Sequence, residues 1–466
     1  MKRIVLKISL LLVLPLSVIS CSQDALDPTL STVRDLDKDP ISSETDLMYL
    51  TNGMYKRMRA AEYYGRDFVL FNEARTDDAY SAGYSNRFLN VSEMNVQVTD
   101  AYPADTWLAI YRVILNANHV INAEGITGNE EAIADYKGQA YLGRALAHFD
   151  LTKLYGQQHI TGEGGKDALA VPYITSFPKN SDDALSFKFP RNTFAEVRKK
   201  IYEDLDLAIE NISNTDPKYF TQKAAYGYKS RMAMYFATFF PEDWQVAFDA
   251  AQAAIGGNAK GGVIEIGDFI KQFEGNIAEK NSVFQLAMPS DDNLGNNCLS
   301  EMYNGLAYGD IVAQDGTVNK YEDDDIRGTV IGYDAYGDLK NLKKYPTYSD
   351  DVILMRHEEL LLNAAEAAMH INQPEIALEY INYIRGKRGV VLKEANEITL
   401  EAVLEERNLE LMFEGFRFDD LMRTRQDVPE NPMIIGESPL YGDFRTAFPI
   451  PKREINASGM KQNAGY

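Results

Sequence analysis

The sequence predicts a mostly α-helical protein, built from paired helices that carry long irregular loops and few short strands. Three observations lead there. Apolar residues recur at i, i+3/i+4 spacing over several long segments, 104–123 among them. Two segments of about 34 residues each place small residues at matching positions around a short turn. Between those two segments, residues 256–346 lose the helical period and become rich in Gly, Asn and Tyr.

The first element is an export signal. Lys2, Arg3 and Lys7 precede an apolar stretch, 8–19, softened by Ser9, Pro15 and Ser17 and ending at Val18-Ile19-Ser20-Cys21. A positive flank, a short apolar core and a small residue before the cut are the parts of a secretory signal, here 1–20. The stretch is shorter than the roughly 20 apolar residues that span a bilayer. An apolar residue at −3 and a small one at −1 before Cys21 resemble a bacterial lipobox, whose Cys thiol is diacylated after cleavage. The alternative is an ordinary signal in which Cys21 is coincidental. A lipid on Cys21 leaves Cys298, the only other cysteine, without a disulfide partner. The exported body would then rely on core size for stability. Residues 21–40, polar, acidic and Pro-containing, read as a lipidated flexible leash, and 41–466 as the folded body.

Helical elements follow in order. Ser42 or Ser43 is placed to cap a helix that runs to Arg59. Residues 63–104 mix aromatic, Gly and Asn content with weak period and predict a long, structured excursion. In 104–123, Trp107, Tyr111, Ile114, Leu115 and Asn118 follow helical spacing, with Trp107 on the apolar face. Residues 130–155 form a second amphipathic helix, 156–190 a loop, and 193–212 and 221–239 two more helices. In 222–255, Ala225, Ala233 and Ala237 precede a turn at Pro241, then Ala247 and Ala251. In 352–385, Ala364, Ala365 and Ala367 precede a turn at Pro374, then Ala377 and Leu378. Small residues where two helices cross resemble tetratricopeptide pairs, with 139–212 as a third pair split by an insertion. Unrelated antiparallel helix pairs are the competing reading. Within 256–346, residues 263–266 and 283–287 suit short strands, and Glu322-Asp323-Asp324-Asp325 reads as a solvated acidic turn.

Composition narrows the function. Hydrophobic residues make up 45% of the chain and charged ones 25%, which fits a globular body. The net charge of −22 argues against nucleic acid, which needs basic patches. Twenty-eight tyrosines against two tryptophans supply many amphipathic rings, most of them expected at helix interfaces. No metal or cofactor is indicated. His357-Glu358 is followed by Leu361 where a zinc protease needs a second His, and Glu322–Asp325 lacks the calcium-loop spacing. Residues 162–167 lack the first Gly and the final Ser/Thr of a phosphate loop. No nucleophile elbow is present, so no catalytic residue is assigned.

The most specific run is 404–423, LEERNLELMFEGFRFDDLMR. Arg407 and Glu410 stand at i, i+3, as do Glu414 and Arg417 where the helix continues. With Asp420, so dense a set predicts a partly buried ion network that fixes geometry. This run resembles the SusD/RagB family of outer-membrane nutrient-binding lipoproteins, whose pattern E-E-R-x-x-E-L-x-F-E-G-x-R-x-x-D-L-x-R is matched by Glu405, Glu406, Arg407, Glu410, Leu411, Phe413, Glu414, Gly415, Arg417, Asp420, Leu421 and Arg423. The Cys21 lipobox, the 139–156 helix, Asp325-Ile326-Arg327, the 354–367 helix, Phe448-Pro449-Ile450-Pro451 and the ending Gln462-Asn463-Ala464-Gly465-Tyr466 resemble family features in the same order. Phe418, Asn408 and Ala464 depart from the usual residues.

The resemblance implies a tetratricopeptide-containing body that is not an enzyme, is lipid-anchored at the outer membrane, and forms a lid over a SusC-like TonB-dependent transporter. It implies an oligosaccharide ligand, with a peptide-capturing member as the close variant; a surface glycoside hydrolase is the competing class. Sugars need aromatic faces beside hydrogen-bonding groups. Two loop stretches supply both: Asp78, Tyr80, Tyr84 and Arg87 with Tyr102, and Asn297, Tyr303 and Tyr308. These eight residues are the expected ligand contacts.

Overall fold

The structure is a computed structural model that describes residues 40–178, 183, 187–305 and 307–466. The signal, Cys21 and most of the leash lie outside the described residues. Helix α1, Glu44–Met58, starts at Ser43, whose hydroxyl accepts from the Asp46 backbone N–H while the Asp46 carboxylate accepts from the Ser43 N–H. The 63–104 excursion contains α2 (Asp67–Glu73), strand β1 (Ala79–Ser81) and α3 (Leu89–Ser92). The long helices α4 (Ala101–Ile121), α5 (Glu130–Tyr155), α6 (Phe194–Asn211), α7 (Gln222–Ala237) and α8 (Asp243–Ile255) follow. Asn129, Thr193 and Thr221 cap α5, α6 and α7 with side-chain oxygens. Gly256, at φ +65°, ends α8.

These helices pack in sequence order. Helix α4 lies against α1 and α5, α5 against α6, and α7 against α8. Helix α8 then packs on α11 (His357–His370), which pairs with α12 (Pro374–Arg385). Small residues permit the crossings: a Cβ on Gly143 would sit 2.4 Å from Met54 Sδ, and one on Gly227 2.3 Å from Met355 Sδ. Arg144 ties three helices together. Its guanidinium grips Asp204 of α6 at 2.8 and 2.6 Å and donates to Asn118 of α4 at 2.9 Å. Trp107 is buried.

Three expectations are corrected. The 352–385 unit is not helical from its start: Val352–Arg356 is strand β6, antiparallel to β2 (Ser282–Leu286), and α11 begins at His357. Val352 and Ile353 are β-branched and the whole run 352–356 is buried, which favours a strand at that point. Residues 263–266 form no strand, because Val263 follows the single helical turn α9 (Ala259–Gly262), and Ile266 opens a 3-10 turn. The acidic turn is not simply solvated. Asp325 is buried against Arg327, and Glu322 pairs with Arg385 at 2.5 Å.

The signature run folds as α13 (Leu400–Leu411), a tight turn, and α14 (Arg417–Arg423). Phe413 (φ +67°) and Gly415 (φ +82°) interrupt the helical path after Leu411 and part Glu414 from Arg417, while Arg407 and Glu410, both in α13, bond to other partners. The side chains reach across the fold instead. Glu410 accepts from Arg356 at 2.6 Å, from Arg388 at 2.7 and 2.9 Å, and from Arg327 at 3.2 Å. Glu414 accepts from Lys344 and Arg356 at 2.7 and 2.9 Å. Arg407 holds Asp420 at 2.9 Å, and Arg417 holds Asp77 at 2.8 Å. Burial alone would raise the Glu410 carboxyl, but the Arg388 and Arg356 guanidiniums hold it well below the ordinary range.

Candidate functional site

Three segments of the loop-rich region converge on one cleft. The first follows β1. This strand pairs antiparallel with β3 (Ile311–Ala313), with Tyr80 opposite Val312, and the Ala82 N–H donates to Asp310 O at 2.8 Å. The chain then turns through Gly83 at φ +73° to present Tyr84. The buried Asp310 carboxylate accepts from the Ser85 N–H at 2.8 Å and from its hydroxyl, which fixes this loop. The second segment, 304–310, leads from α10 (Leu299–Tyr303) into β3. Glu301 gathers it by accepting from the backbone N–H groups of Ala307 and Tyr308 at 2.7 and 3.1 Å.

The third segment is a hairpin, β4 (Ile331–Tyr333) to β5 (Leu339–Asn341), in which Gly332 faces Lys340. Its tip is an Asx turn: the Asp334 carboxylate accepts from the backbone N–H groups of Tyr336 and Asp338 at 2.8 and 2.9 Å, and Gly337 takes φ +91°. Strand β5 lies beside β3, which sets the hairpin against the other two segments.

The cleft they enclose has a volume of about 410 Å³ and is lined by Tyr84, Tyr308, Tyr336, Asn304, Asp338 and Lys340, with backbone between. Tyr84 is 59% exposed and Tyr336 79% exposed. The Tyr84 hydroxyl donates to Asp338 Oδ2 at 2.7 Å, closing a bridge from the first segment to the third. That bond to a carboxylate pushes the Tyr84 phenol up to about 12. Lys340 is 2% exposed, and its ammonium donates to Gly309 O beneath the Tyr84 ring, 5.3 Å from the centroid. Burial lowers the Lys340 pKa. Exposed rings beside a carboxylate, an amide and an ammonium suit a polyhydroxylated ligand with apolar C–H faces.

Of the eight expected contacts, the structure brings Tyr84 and Tyr308 into this cleft. Tyr80 lies half-buried just behind it, with Asp315 and Asp338 as charged neighbours. Arg87 stacks on the Tyr308 ring at 3.5 Å and donates to Ser85 Oγ at 3.0 Å, so it braces the wall. The other four are elsewhere. Asp78 is fully buried, paired with Lys320 at 2.5 Å. Tyr102 stacks on Phe88 at 4.8 Å, and its hydroxyl accepts from the Phe88 N–H. Asn297 is exposed but accepts from Arg66 at 2.8 Å, outside the cleft lining. Tyr303 is a core residue: its ring is fully buried and its hydroxyl donates to Phe413 O at 2.9 Å.

Tyr336, Asp338 and Lys340 were not anticipated. Their signal was Tyr333-Asp334-Ala335-Tyr336-Gly337-Asp338, a Gly-containing turn with aromatic residues at its tip. A surface tip has no core to fill, so a ring there points to contact.

Comparison with known proteins follows this geometry. A family model described as starch-binding, associating with outer membrane, matches residues 28–234, and one described as the SusD family matches residues 329–466. A SusD-like protein P2 from Formosa agariphila is 25% identical over 94% of this chain and 97% of its own. SusD-like protein P38 from the same organism is 23% identical over 75% of this chain and 78% of its own. Among solved structures, a putative sugar binding protein from Bacteroides vulgatus superposes with TM-score 0.81 at 25% identity, covering 91% of this chain and 99% of its own. A SusD superfamily protein from Bacteroides thetaiotaomicron gives TM-score 0.80 at 24% identity, covering 90% and 99%.

Proposed function

The chain belongs to the SusD/RagB family, and from that premise we propose that it is a non-catalytic lipoprotein that captures a nutrient oligosaccharide and delivers it to a SusC-like TonB-dependent transporter. It is a SusD-type nutrient-binding protein of the outer membrane. The ligand class, the transporter, the lipid on Cys21 and exposure at the cell surface are the proposed parts. The printed descriptions of relatives as starch-binding and sugar binding support a carbohydrate. The observation that carries the reading is the cleft: two tyrosines left mostly exposed, Tyr84 and Tyr336, flank Asp338 and Lys340.

The helical face would meet the barrel while the loops meet the ligand, and the lipid on Cys21 with the leash 21–40 would hold the body at the membrane. Calorimetry of the protein against a panel of oligosaccharides tests the site. Removing a stacking ring and its hydroxyl costs about 1–2 kcal/mol, so Tyr84→Ala and Tyr336→Ala should each weaken binding roughly 5- to 30-fold. Unchanged affinity in both variants refutes the cleft. Binding of peptides in place of sugars favours the peptide-capturing variant, and product release that vanishes with a single carboxylate substitution favours a hydrolase.

A further inference from the structure

Lys340 is the least ordinary group in the cleft. Its side chain is 2% exposed, yet an ammonium carries three donors and, among the described residues, only Gly309 O accepts within hydrogen-bond distance. The nearest carboxylate, Asp338, stands 4.0 Å away, too far for a hydrogen bond, and it already accepts from Tyr84. Asp334 lies farther off, its Oδ1 accepting from the two backbone N–H groups of its turn. A buried charge with donors to spare is costly unless something completes its shell. Lys340 lines the cleft, so its spare donors are within reach of a polar group that enters it.

We infer that the cleft selects a neutral glycan, clipping adjacent hydroxyls of one sugar ring between the Lys340 ammonium as donor and the Asp338 carboxylate as acceptor. This rests on the carbohydrate reading above and narrows its substrate class. A hydroxyl both donates and accepts, so two neighbouring hydroxyls satisfy both ends of the 4.0 Å gap. A uronate's carboxylate or a sulfate group only accepts. It would engage Lys340 but face Asp338 and Asp334 in the same cleft, in a chain of net charge −22. Like charges brought together across an interface oppose binding. The rings of Tyr84 and Tyr336 supply the apolar contact for the sugar's C–H face.

The test uses the full chain in a non-glycosidic detergent, screened against neutral oligosaccharides and matched uronate-containing and sulfated ones. Binding is expected among the neutral set, with Lys340→Met and Asp338→Asn each weakening it about tenfold or more and melting temperature held. Should Lys340→Met fail to fold, Lys340→Arg and Asp338→Asn decide the matter: retention of full affinity in Asp338→Asn overturns the clip. Preference for uronates or sulfates overturns the neutral class; loss of that binding in Tyr84→Ala would leave the cleft and the carbohydrate reading in place. Absence of binding to any glycan, with binding to peptides, overturns both.

Discussion

Glu410→Gln tests whether the signature run is an ion network that holds the fold. Glu410 is fully buried and receives four N–H donors from three arginines, Arg327, Arg356 and Arg388. Arg385 and Lys344 complete five buried cations, facing five buried carboxylates: Asp325, Glu358, Glu406, Glu410 and Glu414. Glutamine preserves the shape, but it removes one negative charge and turns an NH2 group toward guanidinium donors. Breaking a buried pair by removing one partner costs about 3–5 kcal/mol, because the other charge stays buried and uncompensated. For the roughly 425-residue body, Ser42–Tyr466, an unfolding entropy of about 2.1 cal/mol/K per residue converts this to a melting decrease of about 3–6 °C. Calorimetric melts at pH 7 measure it, with exposed Glu405→Gln as a control expected to stay within about 0.5 kcal/mol. The folded Glu410 carboxyl titrates well below its unfolded value, so its contribution is fully present above the unfolded pKa of about 4.3 and is lost as pH falls through the folded pKa. The gap between wild type and variant should therefore be constant from pH 7 down to about 4.3 and narrow below that. A variant that melts with the wild type at pH 7 refutes the network.

Two further outcomes follow from other parts of the chain. His148 is fully buried, stacked on Tyr173, with Nδ1–H donating to Arg144 O at 2.8 Å and Nε2 accepting from the Ile174 N–H at 2.9 Å, so both partners require the neutral ring. Burial pushes its pKa down to about 3; stability should therefore rise with pH from about 3 to the unfolded value near 6.5, by roughly 2 kcal/mol between pH 5 and 6.5 from this residue, and a pH series of melts in which His148→Gln keeps the full wild-type slope would contradict that. Cys21→Ala should release the protein from membranes on fractionation while leaving ligand affinity in solution unchanged; retention at the membrane would place the anchor elsewhere.

The helices were legible because each carries its own local signals. Helix α5 runs over the expected 130–155, with the Asn129 side chain capping it, and α1 starts at one of the two serines expected to cap it. Boundaries failed where tertiary pairing overrode period. Residues 352–355 adjoin a helix and are apolar throughout, and only their partner β2 makes them a strand. The i, i+3 charges of 404–423 were legible as a network but not in their pairing. Gly415 takes φ +82°, where an added Cβ would meet Val69 at 3.0 Å. The chain is therefore not helical there, and Glu410, Glu414 and Arg417 find partners far along the chain while Asp420 is held within the run by Arg407 and Arg423.

The candidate site was half legible for a related reason. Aromatic and polar residues in a loop look alike in sequence whether they face solvent or fill the underside of the loop. Tyr303 and Tyr84 differ only in which way the fold turns them, and Phe413 O decides for Tyr303. What selects the cleft is the hairpin, and its two feet are clamped by the signature network. Arg327, just before β4, is held by Asp325, Glu406 and Glu410. Lys344, just after β5, donates to the carbonyls of Glu410 and Met412 and to the Glu414 carboxylate at 3.2, 2.8 and 2.7 Å. The first segment is anchored to the same run through Arg417 and Asp77, two residues before β1. The most recognisable stretch of the sequence lines none of the cleft; it fixes where Tyr84, Tyr336, Asp338 and Lys340 stand relative to one another.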